Sequence, residues 1–311
     1  MKFFLGIDGG QSSTTAVIGD ETGRVLGTGI GGPCNHAVAE EGRERLRKAI
    51  SETVAGACRA AALDPKIRFA AACCGMSGGP DDKRAILESL IPTDRLLVTT
   101  DAVIALAGAT ESGRGIIVIA GTGSMAFGRN EAGVTARAGG WGYLFGDEGS
   151  AFDMVRQALR FALRMEEGWG PVTVLRDSFL AVSGCTSANE LMHRFYDPNW
   201  PRDRIAALAP LVDQAAANGD QVAQEILQYA ALQLATLAAS VRHRLWAPDD
   251  TVAVAYTGGV FQSTGICQRF QELVELEAHS TCSRARRSAA EGALAEALRR
   301  SRDLLPITDI M

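Results

Sequence analysis

The sequence carries no GxxxxGK[ST] loop, which removes the P-loop nucleotide-binding class. No GxGxxG joins a first strand to a helix, because the Gly9-Gly10 turn runs into a second β-prone segment; that argues against a dinucleotide-binding fold. Positive charge is not concentrated. Lys plus Arg total 31 against 36 Asp plus Glu, a net charge of -5, and the one dense basic stretch, Arg284, Arg286 and Arg287, is short. The balance supplies no electrostatic footprint for nucleic acid or an anionic membrane. The seven cysteines (34, 58, 73, 74, 185, 267 and 282) are odd in number and irregularly spaced, and no CxxC occurs among them. Reduced thiols in a cytoplasmic protein account for them better than a disulfide framework or a zinc site. Long apolar runs are missing too. The opening Met1–Ile7 stretch is broken at once by Asp8 and two glycines, so it reads as a strand and not as a signal peptide. The Ala- and Leu-rich stretch from Tyr229 to Leu245 contains Gln233, Arg242, His243 and Arg244, and reads as a buried helix and not as a membrane span.

What is present is a folded globular composition, 47% hydrophobic and 22% charged, over 311 residues. That length suits two domains with a cleft between them. Residues 3–7, 14–18 and 25–26 are β-prone and separated by glycine turns, so the chain opens as an antiparallel meander. Apolar positions at helical spacing run from about Val38 to Leu63, where Asp64-Pro65 ends the helix. A strand at 68–74, a short helix from Pro80-Asp81-Asp82 and a strand at Leu96–Thr99 follow. A comparable order then repeats: Gly115–Ala120, a turn at Gly121–Ser124, Met125–Arg129 and Val134–Ala136. Helices are expected at 149–166, 171–181, 187–194, 202–217 and 220–245. Then come a strand at Val252–Tyr256, the turn Thr257-Gly258-Gly259-Val260, a helix, and the Ala-rich segment Ala289–Arg300. Two copies of strand–glycine turn–strand suggest a duplicated α/β core.

The glycine turns Gly9-Gly10 and Gly121-Thr122-Gly123-Ser124 each join two strands. Adjacent glycines let the backbone approach a ligand closely and aim successive N–H groups into one concavity, a nest suited to an anion. Ser12, Ser13, Thr122 and Ser124 add hydroxyls. One glycine hairpin usually only turns the chain. Two at matching places, with a third at Gly258-Gly259, point to a nucleotide's phosphates.

Taken in order, Asp8-Gly9-Gly10, Asn35-His36, Ser77-Gly78-Gly79, Thr99-Thr100-Asp101-Ala102, Gly121–Ser124, Gly139-Gly140-Trp141-Gly142, Gly146–Ser150 and Thr257–Val260 resemble the BadF/BadG/BcrA/BcrD family of actin-like ATPases, nearly end to end. GGWG followed shortly by GDEGS is the most specific element. The resemblance implies two ribonuclease-H-like domains around a nucleotide and sugar cleft. It divides the chain into a domain at 1–110, to which a terminal helix in 289–311 returns, and a domain at 111–288. It further implies a kinase that uses ATP and Mg2+ to phosphorylate the 6-hydroxyl of an amino sugar, N-acetylglucosamine or glucosamine, and a homodimer as among many relatives. By position, Asn35, Ser77, Gly78, Asp101, Gly140, Trp141, Gly142 and Asp147 correspond to sugar contacts. Gly9, Gly10, Ser12, Gly121, Thr122, Gly123, Gly258, Gly259 and Ser263 correspond to ATP contacts, and Asp8 to the acid that holds magnesium through water.

Asp101 fits a catalytic base because it follows a strand and can orient an attacking hydroxyl and take its proton; an Asp there also suits the start of a helix. Asp147 could likewise open a helix, but beside Trp141 it borders a flat apolar face and offers acceptors to sugar hydroxyls. Other family members activate acyl-CoA dehydratases through an iron–sulfur cluster, which needs suitably placed thiolates. Cys73-Cys74 lie within one strand, where alternation sends one to each face, so both are expected as buried small residues. Sugar-sensing regulators on this fold commonly carry a helix-turn-helix, whereas this chain as given opens on its first strand. The first turn departs from close relatives: Gln11, Ser12 and Ser13 stand where a third glycine, a threonine and a basic residue are usual.

Overall fold

A computed structural model of the chain describes residues 1–10, 13–34 and 39–302. The elements of the first half are β1 (Phe3–Gly9), β2 (Thr14–Asp20), β3 (Val25–Gly31), α1 (Glu40–Ala60), β4 (Ala71–Met76), α2 (Arg84–Leu90), β5 (Leu96–Thr100) and α3 (Asp101–Ala109). Tight turns make the β1–β2 and β2–β3 pairings antiparallel, and the helical crossovers make β1–β4 and β4–β5 parallel. The sheet order is β3-β2-β1-β4-β5.

The second half contains β6 (Gly115–Ala120), β7 (Ser124–Arg129), β8 (Thr135–Gly139), α4 (Ala151–Glu166), α5 (Leu175–Ser183), α6 (Ala188–Arg194), α7 (Arg202–Ala206), α8 (Ala209–Ala217), α9 (Gln221–Leu245), β9 (Val252–Thr257), α10 (Thr264–Glu275) and β10 (Ser280–Arg284), and the chain continues into α11 (Ala289–Ser301). Its sheet order is β10-β9-β6-β7-β8. Read in reverse, that is the first sheet's order with each strand replaced by its counterpart, so the duplication expected from the glycine turns is a duplication of topology. Both halves have the ribonuclease-H-like arrangement that the resemblance implies.

The chain divides into two compact units. One comprises Met1–Gly115, Arg129–Thr135 and the chain from Ala285; the other comprises Ile116–Gly128 and Ala136–Arg284. In the first unit, Leu5, Ile7, Cys74 and Met76 pack on one face of the sheet with Leu46, Ile50 and Ala57 of α1. Phe4, Val17 and Cys73 pack on the other face with Ala290, Ala293, Leu294 and Ala297 of α11. The tandem cysteines therefore do point to opposite faces, and both are completely buried. Burial pushes their thiols well up, which keeps them in the unreactive neutral form. No Cβ fits at Gly6, because α11 presses its backbone at Ala290 and Leu294 against that point of β1. The same helix carries Glu296, 1% exposed, whose Oε1 accepts from Arg129 Nη2 at 2.6 Å and Arg299 Nη1 at 2.7 Å. Arg129 Nε in turn donates to the Gly113 carbonyl at 2.7 Å. This buried three-charge cluster fixes the register of the terminal helix within its unit.

Two expectations change. The helix expected over 202–217 is two helices, α7 and α8, parted at Ala207-Leu208. Pro210 falls in the first turn of α8, where its missing N–H breaks no intrahelical bond; continued from α7 it would have broken one. Strand β10 was not anticipated from Ser-Thr-Cys-Ser-Arg, which has neither an apolar run nor an apolar alternation. It exists because its parallel pairing with β9 supplies ladder partners at the sheet edge. No helix among the described residues is long and apolar enough to cross a membrane, in keeping with the reading of α9.

Candidate active site

In the first unit the candidate residues converge at the carboxyl ends of three adjacent parallel strands, the position at which open α/β sheets bind ligands. Asp8 lies near the end of β1, Ser77 directly follows β4, and Asp101 directly follows β5. Backbone bonds tie these ends together: Ser77 N–H donates to the Gly9 carbonyl at 3.0 Å, and Cys34 N–H to the Gly10 carbonyl at 3.0 Å. Asp101 is oriented by two donors. The Ser77 hydroxyl donates to Oδ2 at 2.7 Å and the Ala102 N–H to Oδ1 at 2.9 Å. Asp101 is the first residue of α3 and not its cap, which is Thr100; one of its oxygens meets the first turn of that helix and the other is held by a serine of the neighbouring strand end.

Asp8 is the strained member electrostatically. Burial, and then the negative charge of Asp101, push its carboxyl up to about 6. An acid so placed, beside a second carboxylate, is stabilised by either a proton or a cation. Among the described residues no group of three or more His, Cys, Asp or Glu could hold a metal ion by itself. Magnesium suits this donor set, because it is usually held by one or two carboxylates together with substrate phosphates.

The loop after β4 is braced by a side chain that the motifs did not indicate. Lys83 is completely buried, and its ammonium donates to the Gly79 carbonyl at 2.9 Å and to Asp82 Oδ1 at 2.8 Å. A buried ammonium is tolerated only when it is hydrogen-bonded. Here it closes the Gly78-Gly79 bend, whose residues both take positive φ. Ser12 and Asn35, together with Gln11 and His36, lie outside the described residues.

In the second unit β6 and β9 are parallel neighbours, with Ile119 opposite Thr257, so the turns at their carboxyl ends lie side by side. Gly258 sits at φ 111° against Ala120, and no Cβ fits there without overlapping the Ala120 carbonyl. Beside these turns is a cavity of about 540 Å³ lined by Gly121, Thr122, Gly259 and Ser263, with Asp203, Pro210 and Asp213 among the other wall residues. Its size suits a nucleotide. The Ser263 hydroxyl donates to Asp213, and the same oxygen caps α10 through Ile266 N–H. Ser124 is buried and spends its hydroxyl on the Glu148 carbonyl at 2.6 Å, so in this turn Thr122, not Ser124, is the hydroxyl lining the cavity.

The GGWG–GDEGS segment divides in two. Trp141 is 65% exposed, flanked by Gly140 and Gly142 at positive φ, with the Arg137 guanidinium 4.6 Å from its ring centre. Asp147 instead turns inward. It is 4% exposed, takes a left-handed φ of 62°, accepts from Ser124 N–H at 3.2 Å and pairs with Arg202 at 3.4 Å. A Cβ on Gly123 would stand 2.9 Å from its carboxylate oxygens, which explains why that position is glycine. Burial raises the Asp147 carboxyl, opposed by the Ser124 N–H and by Arg202. Lys83, Arg202, Asp203 and Asp213 are charged residues around these two candidate sites that the motifs did not indicate. None stands in a glycine motif, and each became visible only through its contacts.

Comparison with known proteins identifies the family. The model of the BadF/BadG/BcrA/BcrD ATPase family matches residues 5–298, and the chain belongs to that family. It is 33% identical over 269 residues to an N-acetylmuramic acid/N-acetylglucosamine kinase of Clostridium acetobutylicum, covering 85% of this chain and 87% of that one. It is 31% identical over 286 residues to the N-acetyl-D-glucosamine kinase of Dictyostelium discoideum, with the same coverage. Among solved structures, an N-acetylglucosamine kinase candidate from Chromobacterium violaceum superposes with a TM-score of 0.75 at 26% identity, over 96% of this chain and 99% of that one. A ROK family glucokinase of Streptomyces griseus shares the fold at a TM-score of 0.55 and 20% identity, over 95% of this chain and 98% of that one.

Proposed function

We propose that this chain is an ATP-dependent amino-sugar kinase that transfers the terminal phosphoryl group of ATP to the 6-hydroxyl of N-acetylglucosamine or glucosamine. The observation that carries the reading is Asp101, set at a strand end and oriented by Ser77, in a chain whose curated relatives are amino-sugar kinases. Phosphoryl transfer is chiefly positioning and charge stabilisation. The acceptor hydroxyl gives its proton to Asp101 as its oxygen bonds to phosphorus, while the bond between that phosphorus and the bridging oxygen breaks and ADP leaves. Asn35, Ser77, Gly78, Gly140, Trp141 and Gly142 contact the sugar in this reading, whereas Asp147, expected among them, is buried with its oxygens on Ser124 N–H and Arg202 and supports the Gly123 turn from beneath. Gly9, Gly10, Ser12, Gly121, Thr122, Gly123, Gly258, Gly259 and Ser263 contact ATP, and Asp8 would hold magnesium. Magnesium supplies neutralisation of phosphate charge.

The competing activator reading requires cluster-binding thiolates. Cys73 and Cys74 are buried on opposite faces of a sheet and are not disposed for one. A coupled ADP-release assay over N-acetylglucosamine, glucosamine, N-acetylmuramate, N-acetylmannosamine and glucose tests the proposal: turnover confined to amino sugars is expected, and glucose as the best acceptor would overturn it. Asp101→Asn should lower kcat by about two to four orders of magnitude without loss of fold. Near-normal turnover would remove Asp101 from the base role.

A further inference from the structure

The nucleotide-sized cavity of the second unit has the wrong electrostatic sign for its proposed occupant. Its wall includes two carboxylates, Asp203 and Asp213, and among the described residues that line it none is basic. The turn beside it makes matters worse. Asp147 is buried beneath Gly123 and Ser124 and bonds to the Ser124 N–H, so a negative charge lies directly under the backbone that would meet the phosphates. Neither Gly121–Ser124 nor Gly258-Gly259 contains a basic residue, and the first turn reads Gln11-Ser12-Ser13 where a basic side chain is usual. A cation besides magnesium at the transferring end of a triphosphate speeds transfer, since negative charge shifts onto the phosphoryl oxygens and the leaving oxygen as the bond breaks.

Arg202 is a cation beside this turn, reaching it through Asp147 although it is not itself a wall residue of the cavity. It opens α7, and the next residue, Asp203, lines the cavity together with Gly121 and Thr122. Its guanidinium lies 5.5 Å from the Tyr143 ring, is 29% exposed, and reaches Asp147 Oδ2 at 3.4 Å. That separation is longer than the usual charge-assisted hydrogen bond of about 2.7–2.9 Å, so less is lost when this contact is exchanged for another. Asp147 keeps its second tie, to Ser124, when Arg202 leaves.

We propose that Arg202 is a catalytic residue, which on nucleotide binding exchanges its contact with Asp147 for the terminal phosphoryl oxygens of ATP and stabilises them during transfer. This role rests on the kinase reading above. The arginine takes up no proton and forms no covalent bond; its contribution is fixed positive charge in a fork that matches phosphate. A bracing role, in which Arg202 only neutralises Asp147, predicts different behaviour.

The test uses the full chain with Arg202→Gln, Arg202→Lys and the double variant Asp147→Asn/Arg202→Gln, with folding checked by thermal melts. Steady-state kinetics with ATP are combined with equilibrium binding of ADP and of a non-hydrolysable ATP analogue. Arg202→Gln should lower kcat by about three orders of magnitude, the lower end of what such arginines contribute. It should also weaken the triphosphate analogue at least about tenfold while ADP changes less than about threefold. Arg202→Lys should recover part of the loss, since it retains the charge, and it also carries the test if Arg202→Gln fails to fold. Several results would overturn the role: kcat within about threefold of wild type, equal losses of ADP and analogue affinity, or restoration of Arg202→Gln activity by Asp147→Asn. A wild-type chain that releases no ADP with any amino sugar would instead overturn the kinase reading, and this role with it.

Discussion

Replacing Asp8 by Asn should make this protein more stable and nearly inactive. The Asp8 carboxyl is raised from 3.8 to about 6, first by burial and second by the charge of Asp101. A folded pKa above the unfolded one means that the folded state gains from the bound proton. That gain is complete below pH 3.8 and is lost as pH rises through about 6, so at neutral pH the ionised carboxylate is a penalty on folding. Roughly two units at about 1.36 kcal/mol each give about 3 kcal/mol at most, and partial solvent access at this half-buried position brings the realised value to about 1–2 kcal/mol. Asn has nearly the same shape and no charge. Urea denaturation of the ligand-free protein at pH 7.5 should therefore show Asp8→Asn more stable by about 1–2 kcal/mol, with the gain shrinking to about a third by pH 4.5. The same variant should lose about 100-fold or more in kcat/KM for ATP with magnesium, while the wild-type kcat/KM profile should fall on the acid side with a midpoint near 6. A destabilised Asp8→Asn at pH 7.5, or a gain that does not vary with pH, would refute the reasoning.

Ser77→Ala removes the hydroxyl that holds Asp101 Oδ2 at 2.7 Å; hydrogen bonds to charged groups contribute about 1.5–3 kcal/mol, so kcat should fall about tenfold or more with the sugar KM less affected, as read by steady-state kinetics. Gly123→Ala places a Cβ 2.9 Å from the Asp147 oxygens and should raise the KM for ATP about tenfold through displacement of the turn, with only a small change in melting temperature. Glu296→Ala strands Arg129 and Arg299 in the interior of the first unit and should cost about 3–5 kcal/mol, measurable by denaturation; a cost below about 1 kcal/mol would show that the cluster does not lock α11.

Much of this architecture was legible in the sequence, because turns and alternation are local. Glycine pairs between β-prone runs mark β1–β2 and β6–β7, and the period of two placed Cys73 and Cys74 on opposite faces. Asp101 could be picked out because a carboxylate straight after a strand has few other places to point. Strand β10 and the break between α7 and α8 could not be read with the same means. The first depends on a partner strand some thirty residues earlier in the chain, and the second on where Pro210 falls within a turn of helix.

The sequence by itself thus determined the strand–turn–strand duplication, the three glycine turns and the identity of the acid at the end of β5, since each is a property of a few neighbouring residues. Only the tertiary structure decided what surrounds those residues. It gave Asp101 its serine, pushed Asp8 up through burial and a second carboxylate, buried Lys83 behind the Gly78-Gly79 bend, and turned Asp147 inward beneath Gly123 with Arg202 as its cation. Those are effects of distance and dielectric between segments far apart in the chain, and no local pattern encodes them.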